Sequence, residues 1–198
     1  MVAACRAQHG ESAYPGSPWL LAHALRADDR LACCELQPDE AAALKSLLAH
    51  DPRAAVHRRD GYEALRALLP PTPRRGLVLV DPPYEAQLAE FDRILAALAD
   101  ALVRWPQGVY AVWYPIKQAR TLAPFLRAAT ALPARSALVA ELLVRPDDSP
   151  LRMNGSGVLV LNPPFQLDAA LKPALAALHG ALGQGGGSAS VRWLRRGD

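Results

Sequence analysis

Residues 76–80 (Gly76, Leu77, Val78, Leu79, Val80) run without interruption into Asp81-Pro82-Pro83-Tyr84. A short apolar run of β-formers reads as a buried parallel strand. Two consecutive prolines lack the N–H donors that a ladder needs, so the strand must stop there. Asp81 and Tyr84 are thereby presented at the carboxyl end of a strand, the edge at which open α/β sheets bind ligands. A rigid turn of this composition suits a planar amino group. The Asp81 carboxylate and a proline carbonyl can each accept a hydrogen bond from an exocyclic NH₂, and the Tyr84 ring can stack on the attached base. An ordinary turn with a surface acid and a packed tyrosine is the competing reading of the four residues alone.

The chain around this turn has 198 residues, 51% hydrophobic and 21% charged, which suits one globular domain with a sizeable core. A net charge of +3 is compatible with nucleic acid without demonstrating it. The cysteines Cys5, Cys33 and Cys34 are odd in number and two are adjacent, which argues against a disulfide framework or a zinc site and for a reducing compartment. The five histidines lack metal spacing, so no metal is assigned. No apolar run is long enough to span a bilayer and residues 1–12 lack a signal-peptide core, so a cytoplasmic protein is expected.

Along the chain, strands and helices alternate. Residues 1–13 specify little. Tyr14-Pro15-Gly16-Ser17-Pro18 is a tight turn that opens a helix, whose N–H groups can hold a polar or anionic group, with Ser17 as a simple cap otherwise. Strands are expected over 31–36, 54–57, 76–80, 108–115, 136–144, 157–161 and 189–194. Helices are expected from Pro18, then over 38–50, 62–69, 85–104, 117–130 and 167–182. The polar segment 145–155 reads as a hairpin connection. This pattern is a doubly wound, mostly parallel α/β sheet with an antiparallel edge, a short N-terminal segment (1–13) preceding one domain (14–198).

Three acids follow successive strands: Glu35, Asp60 (with Gly61 beside it) and Asp81. In a single doubly wound sheet all three face one crevice. Glu35 can accept two hydrogen bonds from a ribose diol, Asp60 can accept from an adenine amino group, and Gly61 lets a ring approach the backbone. Each is otherwise a cap or a turn residue. Glycine-rich dinucleotide and P-loop signatures are absent, which favours a ligand without a pyrophosphate, such as S-adenosylmethionine. Asn162-Pro163-Pro164-Phe165 mimics the first turn but follows a late strand, and reads as structural. Trp113, Tyr114 and Pro115 end a strand as core or as a substrate wall. Arg58, Arg59, Arg74 and Arg75 are loop cations suited to phosphate or to plain solvation.

Taken together, residues 14–18, Glu35-Leu36-Gln37-Pro38, Asp60-Gly61-Tyr62, 74–85, 110–115 and Asn162-Pro163-Pro164 resemble the RlmJ family of bacterial 23S ribosomal RNA adenine-N6 methyltransferases, some of which carry an older label of DNA utilisation. The resemblance runs from Tyr14 onward. It implies a Rossmann-like S-adenosylmethionine-dependent methyltransferase fold, cofactor binding by Ser17, Glu35, Asp60, Gly61 and Asp81, and a methyl-acceptor site of Asp81, Pro82, Pro83 and Tyr84, with Asp81 as proton acceptor. It also implies 23S ribosomal RNA as partner, and a metal-free monomer is expected. Family members carry a further segment before the Tyr14 turn, with cofactor-contacting histidines and a substrate-contacting tyrosine, which residues 1–13 do not match. The alternatives are a DNA adenine methyltransferase with the same chemistry and a non-catalytic RNA-binding remnant.

Overall fold

A computed structural model describes residues 1–147, 149–150 and 153–197. Two compact units divide the chain, Met1–Ala67 and Leu68–Asp198. The first holds α1 (Val2–His9), α2 (Ser17–Ala24), β1 (Leu31–Glu35), α3 (Pro38–Leu47), β2 (Ala54–Arg58) and nearly all of α4 (Gly61–Leu68). The second holds β3 (Leu77–Val80), α5 (Gln87–Arg104), β4 (Val109–Ile116), a 3-10 turn (Ala119–Leu122), α6 (Ala123–Thr130), β5 (Ala137–Leu143), β6 (Gly155–Leu161), α7 (Leu167–Leu182) and β7 (Ser188–Arg195).

In the first unit β1 and β2 pair in parallel, from Leu31 opposite Ala54 to Glu35 opposite Arg58. Helix α3 covers them. It begins at Pro38, whose missing N–H costs nothing in a first turn, and Asp39 and Glu40 complement the helix dipole there. The carbonyls ending α2 are satisfied by Arg53, which donates to Ala22 O at 3.2 Å and Leu25 O at 2.8 Å. Asp51 holds that guanidinium in a bidentate grip of 2.8 and 2.7 Å, and the pairing holds the Asp51 carboxyl down at about 2. Residues 2–9 form a helix where the sequence led us to expect little structure. The alanine-rich segment contains no glycine or proline before Gly10, and its burial of Cys5 and the Trp19–His9 hydrogen bond (3.2 Å) anchor it.

In the second unit the strand order is β3-β4-β6-β5-β7. β3 and β4 are parallel, and the other three ladders are antiparallel. The strands β3, β4 and β5 therefore point one way, with β6 and β7 reversed. Among the described residues no strand pairs with both β1 and β3, so Glu35 and Asp60 follow strands of the smaller sheet and Asp81 a strand of the larger one. The core lies where α5 and α6 meet the sheet. Ile94, Leu98, Tyr110, Val112 and Tyr114 are fully buried, and Phe91 stacks on Phe125 at 4.1 Å between centroids. Helix α5 ends at Trp105, where the Tyr110 hydroxyl lies 3.1 Å from the carbonyl oxygens of both Ala101 and Trp105. The expected helix over 117–130 is split, because Pro124 in the first turn of α6 cannot serve a longer helix as an interior donor. Part of the connection between β5 and β6 expected as a hairpin lies outside the described residues.

One glycine is fixed by the sheet itself. Gly157 of β6 lies opposite Tyr114 of β4 and Glu141 of β5. The Tyr114 side chain crosses over Gly157 and bonds Glu141 Oε1 at 2.8 Å, and Arg192 of β7 reaches the other carboxylate oxygen at 3.6 Å. A Cβ on residue 157 would clash with the Tyr114 side chain, most closely with its Cζ. Gly157→Ala should therefore lower stability by about 1–3 kcal/mol, the usual cost of overpacking. Equilibrium urea denaturation reads this as a lower midpoint at unchanged slope, and a midpoint equal to that of the parent chain would show that the ring moves aside freely.

Candidate active site

Strand β3 ends at Val80, opposite Val112, and β4 continues to Ile116. Beyond Val112 the side of β4 that faced β3 has no strand beside it among the described residues. The chain leaving the Asp81 turn supplies the missing donors. The Tyr84 hydroxyl donates to Trp113 O, and Gln87 Nε2 donates to Pro115 O at 2.9 Å. On the opposite edge of β4, Ile116 O accepts the Asn154 N–H at 2.8 Å in line with the β6 ladder. Pro115 fits the strand for the same reason: its missing N–H belongs to the edge that β3 has already left.

This arrangement fixes the turn. The Tyr84 ring packs at tilted angles against Phe91 and Trp113, each at 5.8 Å between centroids. Burial, with the Asp81 and Glu90 charges adding, raises the Tyr84 phenol far above its ordinary value, so it stays a protonated donor. The Glu85 N–H donates to Pro83 O. Among the described residues that leaves the Pro82 carbonyl and the Asp81 carboxylate as the open acceptors of the turn, a distinction that the residue types alone do not make. Asp81 keeps access to solvent, but surrounding protein displaces part of its water shell and raises its pKa. Trp113 flanks Tyr84, whereas Tyr114 is buried in the core with its hydroxyl on Glu141. The Trp113-Tyr114-Pro115 cluster thus contributes one aromatic to the turn and one to the core, as strand alternation requires.

In the first unit Glu35 closes β1, and its Oε1 accepts the Gln37 N–H at 2.8 Å, which holds the carboxylate at the strand end with Oε2 as a further acceptor. Asp60 caps α4: its Oδ1 accepts the N–H of Tyr62 at 2.7 Å and of Glu63 at 3.4 Å. Gly61 has no positive φ and nothing within 4 Å of where a Cβ would stand. Neither backbone nor packing demands a glycine there. Ser17 is the first residue of α2 and Gly16 is the cap, so the expected capping role of Ser17 falls one residue earlier. Arg59 N–H donates to Glu35 O at 3.1 Å, and Arg58, Arg74 and Arg75 are exposed. The three thiols are free, and burial raises the pKa of Cys33 and Cys34.

The Asn162-Pro163-Pro164 turn is structural. Asn162, at φ 53°, donates from Nδ2 to Pro106 O and Gly108 O at 2.8 Å each, and its Oδ1 accepts the Arg135 N–H at 2.8 Å. Its amide is consumed in joining three loops. Next to the Asp81 turn, by contrast, lies an open cavity of about 620 Å³ between the start of α5 and the end of β4, which sequence reasoning did not anticipate. Its residues come from three separate segments, which no local sequence signal brings together.

Comparison with known proteins agrees with this architecture. A crystal structure of a Legionella pneumophila protein (strain Philadelphia 1) aligns with a TM-score of 0.84 at 31% identity, covering 96% of this chain and 71% of that one. Ribosomal RNA large subunit methyltransferase J of Escherichia coli (strain K12) is 37% identical over 182 residues, 91% of this chain and 65% of that protein. The protein of the same name from Haemophilus influenzae is 36% identical over 182 residues, 91% of this chain and 64% of that protein. The chain spans just under two thirds of the length of these two relatives. A family model described as "Ribosomal RNA large subunit methyltransferase D, RlmJ" matches residues 2–195, and the chain belongs to that family.

Proposed function

We propose that the chain carries the acceptor site for S-adenosylmethionine-dependent N6-methylation of an adenine in 23S ribosomal RNA. The observation that carries this reading is the pair of open acceptors, Asp81 carboxylate and Pro82 carbonyl, held at the end of β3 by the Tyr84 hydroxyl bond to Trp113. An exocyclic NH₂ bound by both acceptors directs its hydrogens toward them and its lone pair away, toward the methyl group to be received. The adenine must leave its stack to reach such a site. Tyr84 and the neighbouring Trp113 offer aromatic surface for it. After transfer the nitrogen carries an extra proton, which passes to Asp81 or to water. Positioning and proton acceptance are the turn's contribution.

The donor set of the first unit fits S-adenosylmethionine. Glu35 offers a carboxylate oxygen to a ribose diol, Gly61 offers backbone that a ring can approach beside Asp60, and Ser17 heads a helix that has no side-chain cap. When bound, that cofactor supplies an already activated methyl on a sulfonium. Asp81 completes the proposed cofactor contacts. Asp81, Pro82, Pro83 and Tyr84 make up the proposed acceptor turn, with Pro83 holding the turn's shape. Monomeric, metal-free action in the cytoplasm goes with this reading. Among the described residues no helix is long and apolar enough to cross a membrane.

Asp81 gives a test with a worked sign. Its carboxyl must be ionised to accept from the amine, and its pKa is raised, so the methylation rate should fall as pH drops through a value above the ordinary aspartate range. Asp81→Asn should remove that acid limb and cost about 100-fold or more in rate. A raised folded-state pKa means the ionised form opposes folding above that pKa and ceases to do so below the unfolded value. Asp81→Asn should accordingly melt no lower than the parent at neutral pH, which separates lost chemistry from lost fold. Transfer of labelled methyl to RNA, with single-stranded DNA as competitor, is the assay; an Asp81→Asn variant at the parental rate would refute the reading. For the cofactor, Glu35→Ala should weaken S-adenosylmethionine binding about tenfold or more by calorimetry, the value of a hydrogen bond to a charged group. Unchanged affinity would remove Glu35 from the cofactor set.

A further inference from the structure

The cavity beside the Asp81 turn has a composition that the methyl-acceptor chemistry does not use. It opens within a few residues of Tyr84, and its walls include Gln87 and Leu88 of α5, then Lys117, Gln118 and Thr121 beyond β4. At about 620 Å³ it falls in the size range of small-ligand sites. Lys117 is exposed, and among the described residues its ammonium has no ion-pair partner. Gln118 Oε1 accepts from Arg120 Nε at 3.1 Å, which holds a second cation beside the same wall. The carboxylate tied into this loop, Asp147, accepts the Ala119 N–H.

The wall is also built to keep its shape. Asn154 is fully buried, and its Nδ2 donates to Lys117 O at 2.9 Å, Asp147 O at 3.3 Å and Ser149 O at 3.1 Å. Thr121 Oγ1 donates to Gln118 O at 2.7 Å. Gln87 joins the start of α5 to β4 through Pro115 O. Lys117 is therefore placed two residues beyond a carbonyl fixed to the helix that follows the acceptor turn.

We infer that this cavity receives the nucleotide adjoining the methylated adenine in a single-stranded RNA segment, with Lys117 pairing its phosphate and Gln118 and Thr121 facing its sugar. The inference rests on the proposed adenine chemistry and adds the strand's second point of attachment. A base taken out of its stack at Asp81 draws its neighbouring phosphate along, and a lysine serves such a phosphate as a point charge without reading sequence.

Fluorescence anisotropy with a labelled single-stranded oligoribonucleotide containing one adenine, titrated from about 50 to 200 mM salt, tests it. Lys117→Ala should weaken binding several-fold for any flanking sequence. It should also reduce the salt slope by about 0.7, the loss of one phosphate contact on a single strand. Lys117→Arg should retain affinity and slope. Lys45→Ala, a control on α3, should match the parent. Parental affinity and slope in Lys117→Ala, with an unchanged melting temperature, would overturn the inference. So would a loss equal to that in Lys45→Ala, or no salt-dependent RNA binding by the parent chain. The acceptor reading fails separately, through Asp81→Asn in the methylation assay. Loss of transfer there alongside parental RNA binding in Lys117→Ala would reject the cavity's role and keep the chemistry.

Discussion

The second unit depends on how β4 is completed once β3 has stopped. A strand beside an ended neighbour has carbonyls that lack ladder partners, and buried backbone acceptors must find donors. Here the donors are two side chains from the segment that ended the neighbour, Tyr84 for Trp113 and Gln87 for Pro115. One requirement therefore does two things. It satisfies β4, and it locks the Asp81 turn against the strand, so that the acceptor pair cannot drift without exposing backbone. The prolines that end β3 are the cause of the vacancy, and the tyrosine that follows them is the first part of its remedy.

Strand and helix types were largely legible because their signals are local. α7 was expected over 167–182 and forms as Leu167–Leu182, and β1 was expected over 31–36 and forms as Leu31–Glu35. Errors fell where competing local signals were close in strength. The alanine-rich start lacked an amphipathic pattern and still became α1, since propensity with one buried cysteine suffices for two turns. The segment after Lys117 carried a proline that divides it into a 3-10 turn and α6. Sheet order was a different matter. The insertion of β6 between β4 and β5 is set by side chains meeting across three strands, Tyr114 over Gly157 to Glu141, and no single segment contains that information.

The site divides along the same line. Asp81 and Tyr84 were legible because prolines fix both the end of the strand and the conformation of the turn. Which proline carbonyl stays unbonded was not, because that depends on the backbone donor from Glu85, which takes Pro83 O. The Asn162 turn shows what residue types leave open. It shares the Asn/Asp-Pro-Pro form after an apolar strand, yet all three of its side-chain hydrogen bonds go to loops of its own unit. The difference lies in whether neighbouring carbonyls and amides consume the polar head, which is a tertiary property.

β4 also explains why acceptor turn and cavity occur together. Its odd positions past Val112 face the edge that β3 vacates. Trp113 takes the tyrosine and Pro115 takes the glutamine, and β4 then ends at Ile116, so that Lys117 is the first residue beyond the strand. The lysine's backbone is held instead by the buried Asn154, which donates to Lys117 O at 2.9 Å, and the residue lines the cavity beside the start of α5. A cation is not required there by the fold, since the side chain is exposed. Its presence one residue past the strand that Tyr84 and Gln87 complete puts a positive charge in the wall of the cavity next to the acceptor turn.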